Sequence, residues 1–404
     1  MKHDTSNTSQ SALRLTSAWA PWPSFNEAQI SEVSAILRGG RVNQWTGERV
    51  RDFERQYAGY LGTNHAIAVM NGSVALELAL KVLGVGPGDE VITTPRTFMA
   101  SASSIVLQGA TPVFADVDLD SGNISADSIE PLINARTKAI ICVHLAGWPA
   151  GMTEIVELAR DRGLAVIEDC AQAHGAQVAG QPVGSLGDIA AFSFCQDKII
   201  TTAGEGGLIA LNDSTMWSAA WSYKDHGKSY DRAFSTDHPY GFRWLHTDFG
   251  SNWRMTEIQA ATGIYQLTHL DESVSVRNRN AAVWHEHLRE LDALRIPVVD
   301  DGDRHAYYKF YVYVRPEVLK SDWTRDRLQM TIEKTGIPVS SGSCSEVYRE
   351  AAFTKRGIGP VERLPRAKEL GETALMFQVH PGITSGALHE AGEIVAEIVS
   401  EATR

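Results

Sequence analysis

The sequence predicts an α/β protein. A large domain with a mostly parallel central sheet flanked by helices is followed by a smaller C-terminal α+β domain. Three observations predict it. Short apolar runs alternate with helical stretches of about ten residues between positions 65 and 194, the pattern of parallel strands buried on both faces. The length, 404 residues, is more than one domain of about 150 residues. The texture changes near residue 290, where YYKFYVYV alternates as a strand.

The elements follow in order. Residues 1 to about 25 read as a loose arm whose end, Trp19, Pro21, Trp22 and Pro23, is pinned to a surface. A helical period of Ile30, Val33, Ile36 and Leu37 covers 26–38 and stops at Gly39-Gly40. A second helix carries Val50, Phe53, Tyr57 and Leu61 on one side and stops at Gly62. Strands are expected at 65–70, 90–94, 112–117, 137–143, 165–168 and 188–194, with helices at 74–83, 100–108 and 153–162. Right-handed crossovers put the strand C-termini on one edge, and ligands bind such sheets at that edge. A long helix is expected from about 255 to 290, on the period of Ile258, Ala261, Ile264, Leu267 and Leu270. The small domain should hold a strand at 307–314, a helix at 324–335, a short strand at 377–380 and a helix at 387–400. With the boundary placed inside the long helix, the expected division is an arm (1–25), a large domain (26–280) and a small domain (281–404).

Composition narrows the function. Hydrophobic residues make up 43% and charged residues 21%, which excludes general disorder. Thirty-seven Lys and Arg face 49 Asp and Glu, a formal net charge of −12. That balance argues against nucleic acid or an anionic membrane as the main partner, though a local basic pocket for a small anion stays open. The four cysteines, Cys142, Cys170, Cys195 and Cys344, lack metal-ligand spacing. Neither a disulfide framework nor a metal site is expected. No apolar run approaches the roughly 20 residues of a membrane span, and the polar first ten residues do not read as a signal peptide. A cytoplasmic enzyme is the expectation.

The most informative stretch is 164–207, which contains LAVIEDCAQAHGA and GDIAAFSFCQDKIITTAGEGG. Asp169 ends one expected strand; Ser193 and Lys198 follow another. Lys198, between apolar Ile199-Ile200 and the sheet edge, suits an imine-forming amine; a solvated loop lysine is the commoner use of the residue. Asp169 suits the protonated nitrogen of a pyridine ring, or the capping of a turn. Asn71-Gly72-Ser73, between strand and helix, offers backbone N–H groups and a hydroxyl to an anion, or is an ordinary cap. Ser193 would add a phosphate contact. Phe98 either stacks on a ring or fills the core. His174 is a general base, a stacking group or a structural histidine. His380 reaches the site from the small domain or is structural. Taken together, an anion turn, an aromatic, a strand-end Asp and a lysine fall at strand C-termini in chain order. That describes a cofactor site with an electron sink and an imine-forming amine.

On these residues the chain resembles the DegT/StrS-type pyridoxal phosphate (PLP)-dependent sugar aminotransferases, of the fold-type I aspartate aminotransferase superfamily. The matching pieces run from about Gly47 to Thr384 and include FERQYAGYLG, AVMNGSVALELAL, GVGPGDEVITTPRTFMASASSI, VIEDCAQAHGA, SFCQDKIITTAGEGG and NWRMTEIQAA. The resemblance implies that Lys198 forms the imine with PLP and then moves the proton. It gives Asp169 the ring nitrogen, Gln172 the phenolic oxygen, Gly72, Ser73 and Ser193 the phosphate, and Phe98 the ring face. Asn252, and with less weight Arg254, would reach the cofactor of a neighbouring subunit, implying a homodimer with shared sites. His380 matches a small-domain histidine that faces substrate. The chain departs from the family pattern at Ser73 in the phosphate turn (commonly Thr, which supplies the same hydroxyl), and at Trp148, Trp253 and FQVHP, which lie near where a sugar would bind. Lys198 stands where the family's dehydratases carry histidine, which favours transamination.

The implied reaction moves an amino group from glutamate or glutamine to a keto sugar, expected to be nucleotide-linked, in amino-sugar biosynthesis. Two alternatives stay open: a cyclitol ketone as acceptor, or a PLP-binding regulator without turnover. A diphosphate on the acceptor would need cations, for which Arg41, Arg243 and Lys224 are candidates.

Overall fold

Residues 14–236, 240–299 and 302–404 are described in the computed structural model; most of the expected arm lies outside them. Helices α1 (Glu27–Gly39) and α2 (Arg49–Leu61) come first. Then β1 (His65–Val69), α3 (Gly72–Val82), β2 (Glu90–Thr93), α4 (Ala100–Leu107) and β3 (Thr111–Phe114) alternate. They are followed by β4 (Thr137–Val143), α5 (Met152–Arg162), β5 (Ala165–Asp169), β6 (Ile189–Ser193), β7 (Gly207–Leu211) and α6 (Ser214–Lys224). These seven strands form one sheet in the order β1-β7-β6-β5-β4-β2-β3. The contiguous strands β3, β2, β4, β5 and β6 are parallel, and β7 is antiparallel to both of its neighbours. The sheet is therefore mixed but mostly parallel, with apolar layers on both faces.

Strand β7 was not expected. Its five residues, GLIAL, follow the glycines of GEGG, and the turn signal masked the strand. Gly207 opens the strand because the chain passes close to Asn71: a Cβ there would lie 2.2 Å from the Asn71 carbonyl oxygen.

Helix α2 buries the expected face, Val50, Phe53, Tyr57 and Leu61. Helix α1 does not: Ile30 and Leu37 are exposed, and Gln29, which completes a capping box with Asn26, is its buried residue.

The expected long helix is two helices, α7 (Glu257–Thr268) and α8 (Leu270–Leu288). They break at His269, with φ −110° and ψ 9°. Thr268 Oγ1 and His269 Nδ1 both lie within 2.9 Å of the Tyr265 carbonyl oxygen and compete with the helical ladder for it.

Beyond α8 a four-stranded sheet contains β8 (Leu294–Arg295), β9 (Phe310–Val314), β10 (Val339–Ser340) and β11 (Ala374–Phe377), in the order β8-β9-β11-β10. Helices α9 (Arg325–Lys334) and α10 (Ser385–Ala402) cover it. The expected strand at 377–380 lies three residues too late. After Phe377, which pairs with Phe310, the chain leaves the sheet. The Gln378 carbonyl accepts from Trp284 Nε1, and those of Val379 and His380 accept from Asn280 Nδ2. Trp284 stacks on Phe377 with ring centroids 4.4 Å apart, which ties α8 to this sheet. Among the described residues no helix is long and apolar enough to cross a membrane.

Candidate active site

Adjacent parallel strands β5 and β6 end on the same edge of the sheet. Asp169 is the last residue of β5, Ser193 the last of β6, and Lys198 follows in the loop. Helix α3 begins opposite them. Asn71 caps it, its side chain accepting from the Val74 N–H at 3.0 Å. The N–H groups of the first turn have no partner within a helix and are available to an anion. Gly72 is required by contact: a Cβ there would lie 2.6 Å from Ser193 Cβ. Only a bare backbone brings the helix start against the strand end.

Between these elements lies a cavity of about 420 Å³ lined by Gly72, Ser73, Phe98, Asp169, Gln172, Ser193 and Lys198. Sites for small molecules and cofactors have this order of volume. Two residues named with them lie elsewhere. Asn252 is exposed and pairs with Asp225 in a short bridge. His380 is buried and stacks on Trp22, 5.7 Å between ring centroids. Trp22 donates from Nε1 to the Lys198 carbonyl at 3.0 Å, so the arm brings His380 within one side chain of the lysine loop. Arg254 pairs with the buried Asp225 at 2.7 Å.

Phe98 is 70% exposed, so it is no part of a core; it presents an apolar face to the cavity. Gln172 is oriented by the Ala146 N–H, which donates to its Oε1 at 2.8 Å. Asp169 accepts from Ser101 Oγ at 2.7 Å and from the Ala171 N–H at 3.2 Å. Burial pushes its carboxyl up from the ordinary range; these two hydrogen bonds and the charge of Lys198 oppose that shift. Lys198 Nζ lies 3.9 Å from Asp197 and 5.0 Å from the Tyr308 ring centroid. Tyr308 in turn donates to Asp197. Partial burial works against the Asp197 carboxylate, but Lys198 and the Tyr308 hydroxyl hold its pKa below the usual value.

His174 is structural. Its Nε2 lies 2.9 Å from the Ser193 carbonyl, which can only accept, so Nε2 carries the proton and Nδ1 accepts the Tyr57 hydroxyl at 2.7 Å. Burial pulls its pKa down to about 3. Beside it, His144, Glu168 and Cys170 lie close enough to suggest a metal. Two of the three are already committed: Glu168 accepts from the N–H groups of Gly184, Leu186 and Gly187, and His144 Nδ1 from that of Ala150.

The candidate diphosphate cations fare unevenly. Lys224 is fully buried and donates to Gln44 at 3.0 Å, so it is unavailable to a ligand. Arg243 is turned to the carbonyls of Arg232 and Ser235. Arg41 is exposed.

Sequence reasoning missed Ser101, Trp22 and Tyr308. Ser101 carried a faint signal, a hydroxyl in the first turn of a helix four residues after Thr97, with which it exchanges a 2.9 Å hydrogen bond. The others join the site only through tertiary packing.

The donor set fits a phosphorylated pyridine. It offers a backbone cradle that a single Cβ at Gly72 would fill, an exposed aromatic face, a buried carboxylate and an amine.

Residues 23–397 match the model of the DegT/DnrJ/EryC1/StrS aminotransferase family. An aminotransferase from Psychrobacter cryohalolentis has a solved structure similar to this one, with TM-score 0.94 and 48% identity over 95% of this chain and 100% of that one. GDP-perosamine synthase of Caulobacter vibrioides is 41% identical over 72% of this chain and 75% of its own. The UDP-N-acetyl-3-dehydro-alpha-D-glucosamine 3-aminotransferase of Acidithiobacillus ferrooxidans is 39% identical over 93% and 94%. The chain belongs to the DegT/DnrJ/EryC1/StrS aminotransferase family, and it is a transaminase.

Proposed function

We propose that this transaminase holds PLP in the 420 Å³ cavity and moves an amino group from glutamate or glutamine to the ketone of a nucleotide-linked sugar. One observation carries the reading: Asp169, at the end of one strand, and Lys198, in the loop after the neighbouring parallel strand, line one cavity opposite the start of α3. The nucleotide-linked acceptor rests on the named relatives, two of which carry GDP or UDP in their names.

PLP, when bound, supplies an electron sink for the carbanion formed at the donor's α-carbon. Gly72, Ser73 and Ser193 would hold its phosphate, Phe98 its ring face and Gln172 its phenolic oxygen. Asp169, whose carboxyl accepts from Ser101, would hold the proton on the ring nitrogen. Lys198 Nζ takes the proton from the donor's α-carbon and later returns one to the sugar carbon, so one amine serves both halves of the reaction. Enclosure by the strand ends and α3 orients the partners.

The same reading includes a homodimer, with Asn252 and Arg254 serving the neighbouring subunit's site. Their position outside the cavity of their own chain is compatible with that role. It also includes cytoplasmic location and a division near residue 280, inside α8, which packs on α10.

The test is the absorbance spectrum of the purified protein with PLP, before and after glutamate. An imine band that shifts to the pyridoxamine form supports cofactor, lysine and donor together, and keto sugars are then screened for the second half. Absence of the band removes Lys198 from its role.

A further inference from the structure

Asp197 directly precedes Lys198 in the loop after β6 and lines the same cavity. Its Oδ1 lies 3.9 Å from Lys198 Nζ, and its Oδ2 accepts from the Tyr308 hydroxyl. The Asp197 side chain is 56% exposed and that of Lys198 15%, so the amine is the more enclosed of the two. Tyr308 is fixed from two sides. Its ring is buried in the apolar layer that holds Phe192, Phe194 and Ile199, and its N–H donates to the Ala146 carbonyl at 2.8 Å. The hydroxyl therefore meets Asp197 from a set position, on the chain segment that leads into β9. The other nearby carboxylate, Asp169, is engaged by Ser101 and the Ala171 N–H. Two further cations stand close by. Lys309 Nζ lies 4.9 Å from the Tyr308 ring that Lys198 also approaches, and the Arg277 guanidinium carbon lies 5.1 Å from the Trp22 indole. Among the described residues, Asp197 is the carboxylate within ion-pair distance of Lys198.

Transamination asks two opposite things of Lys198. Its Nζ must be neutral to take a proton and charged to return one. When it takes the proton from the donor's α-carbon, that C–H bond breaks, an N–H bond forms and the amine becomes an ammonium; the electron pair stays with the carbon. The new positive charge arises beside Lys309, on a flexible four-carbon stem that does not itself fix where the charge points. A carboxylate already in place stabilises a charge where it develops, without reorganisation at that moment. The Tyr308 hydroxyl occupies one oxygen of Asp197 and leaves the other facing Nζ.

We propose that Asp197, oriented by Tyr308, is a positioning residue of the transamination that holds the Lys198 ammonium in the cavity between its two proton transfers. This rests on the role proposed above for Lys198 and gives that amine its partner.

The experiment compares wild type with Asp197→Asn, Asp197→Glu and Tyr308→Phe. In the cofactor-free protein, acetylation of Lys198 by acetic anhydride at pH 8 is followed by peptide mass spectrometry. Only the neutral amine reacts, and a neighbouring carboxylate favours the ammonium. Asp197→Asn should therefore speed the labelling about 3- to 10-fold. An unchanged labelling rate overturns the pairing. In the holoenzyme, the amino-donor half-reaction is read from the cofactor's absorbance. Its rate constant at saturating glutamate should fall roughly 10- to 100-fold in Asp197→Asn and less in Tyr308→Phe, with partial recovery in Asp197→Glu. The half-saturating glutamate concentration should change less than about 2-fold, because the residue acts on a proton transfer and not on donor binding. An unchanged rate constant in Asp197→Asn overturns the proposal. So does a loss confined to the half-saturation of glutamate or of the keto sugar, which would make Asp197 a substrate contact. A wild type that forms no imine band with PLP fails the reading of Lys198, and with it the part of Asp197 in turnover; faster labelling in Asp197→Asn would still show the pair.

Discussion

Ser101 Oγ donates to Asp169 Oδ2 at 2.7 Å, and Thr97 stands behind it at 2.9 Å. A hydrogen bond to a charged acceptor is worth about 1.5–3 kcal/mol. It works against burial, which pushes the Asp169 carboxyl up. Ser101→Ala should therefore raise the pH at which Asp169 ionises. The pH dependence of the bound cofactor's absorbance should move with it, and Ser101→Thr should restore it. A profile identical to wild type in Ser101→Ala would remove the relay.

Burial of the Asp169 carboxyl disfavours its charged form. Its pKa is raised in the native state, so the native protein binds that proton more tightly than the unfolded chain does. The contribution to stability is present below the ordinary carboxylate pKa and is lost as pH rises through the raised value. Asp169→Asn should leave the cofactor-free protein as stable as wild type or more so at pH 7, by thermal melting. Turnover should fall by roughly 10²-fold or more. A markedly lower melting temperature would mean that the carboxylate is structural.

His174 and His305 are buried, and burial pulls both down to about 3 from 6.5. The unfolded chain takes up these protons first. The contribution to stability is complete above pH 6.5 and is lost as pH falls towards 3, at about 1.4 kcal/mol per pH unit for each group. Urea unfolding at pH 7 and pH 5 should show the decline, and His174→Gln should flatten it. Equal slopes for variant and wild type would contradict the assignment.

Phe98 is exposed and lines the cavity, so its ring contributes little to the fold. Phe98→Ala should change unfolding free energy by no more than about 0.5 kcal/mol. PLP affinity should drop about 3- to 10-fold, the worth of one aromatic contact. A large loss of stability would return Phe98 to the core.

By itself the sequence determined the elements whose signals are local. Apolar runs bounded by glycines located six of the seven large-sheet strands, and the face of Val50, Phe53, Tyr57 and Leu61 located α2. Strand-end placement also picked out Asp169, Ser193 and Lys198, because in a parallel sheet the end of a strand is the ligand edge whatever the side chains do next. Only the tertiary structure decided the rest. The helix break at His269 comes from two side chains competing for the Tyr265 carbonyl. Strand β7 is fixed by pairing with β1 and β6, not by its own five residues. Trp22, Arg277, Tyr308 and His380 are scattered from position 22 to 380, and packing alone brings them beside Lys198. Periodicity reports which face of an element is apolar. It does not report which distant side chain that face will meet, and the partners of a buried charge are set by that meeting.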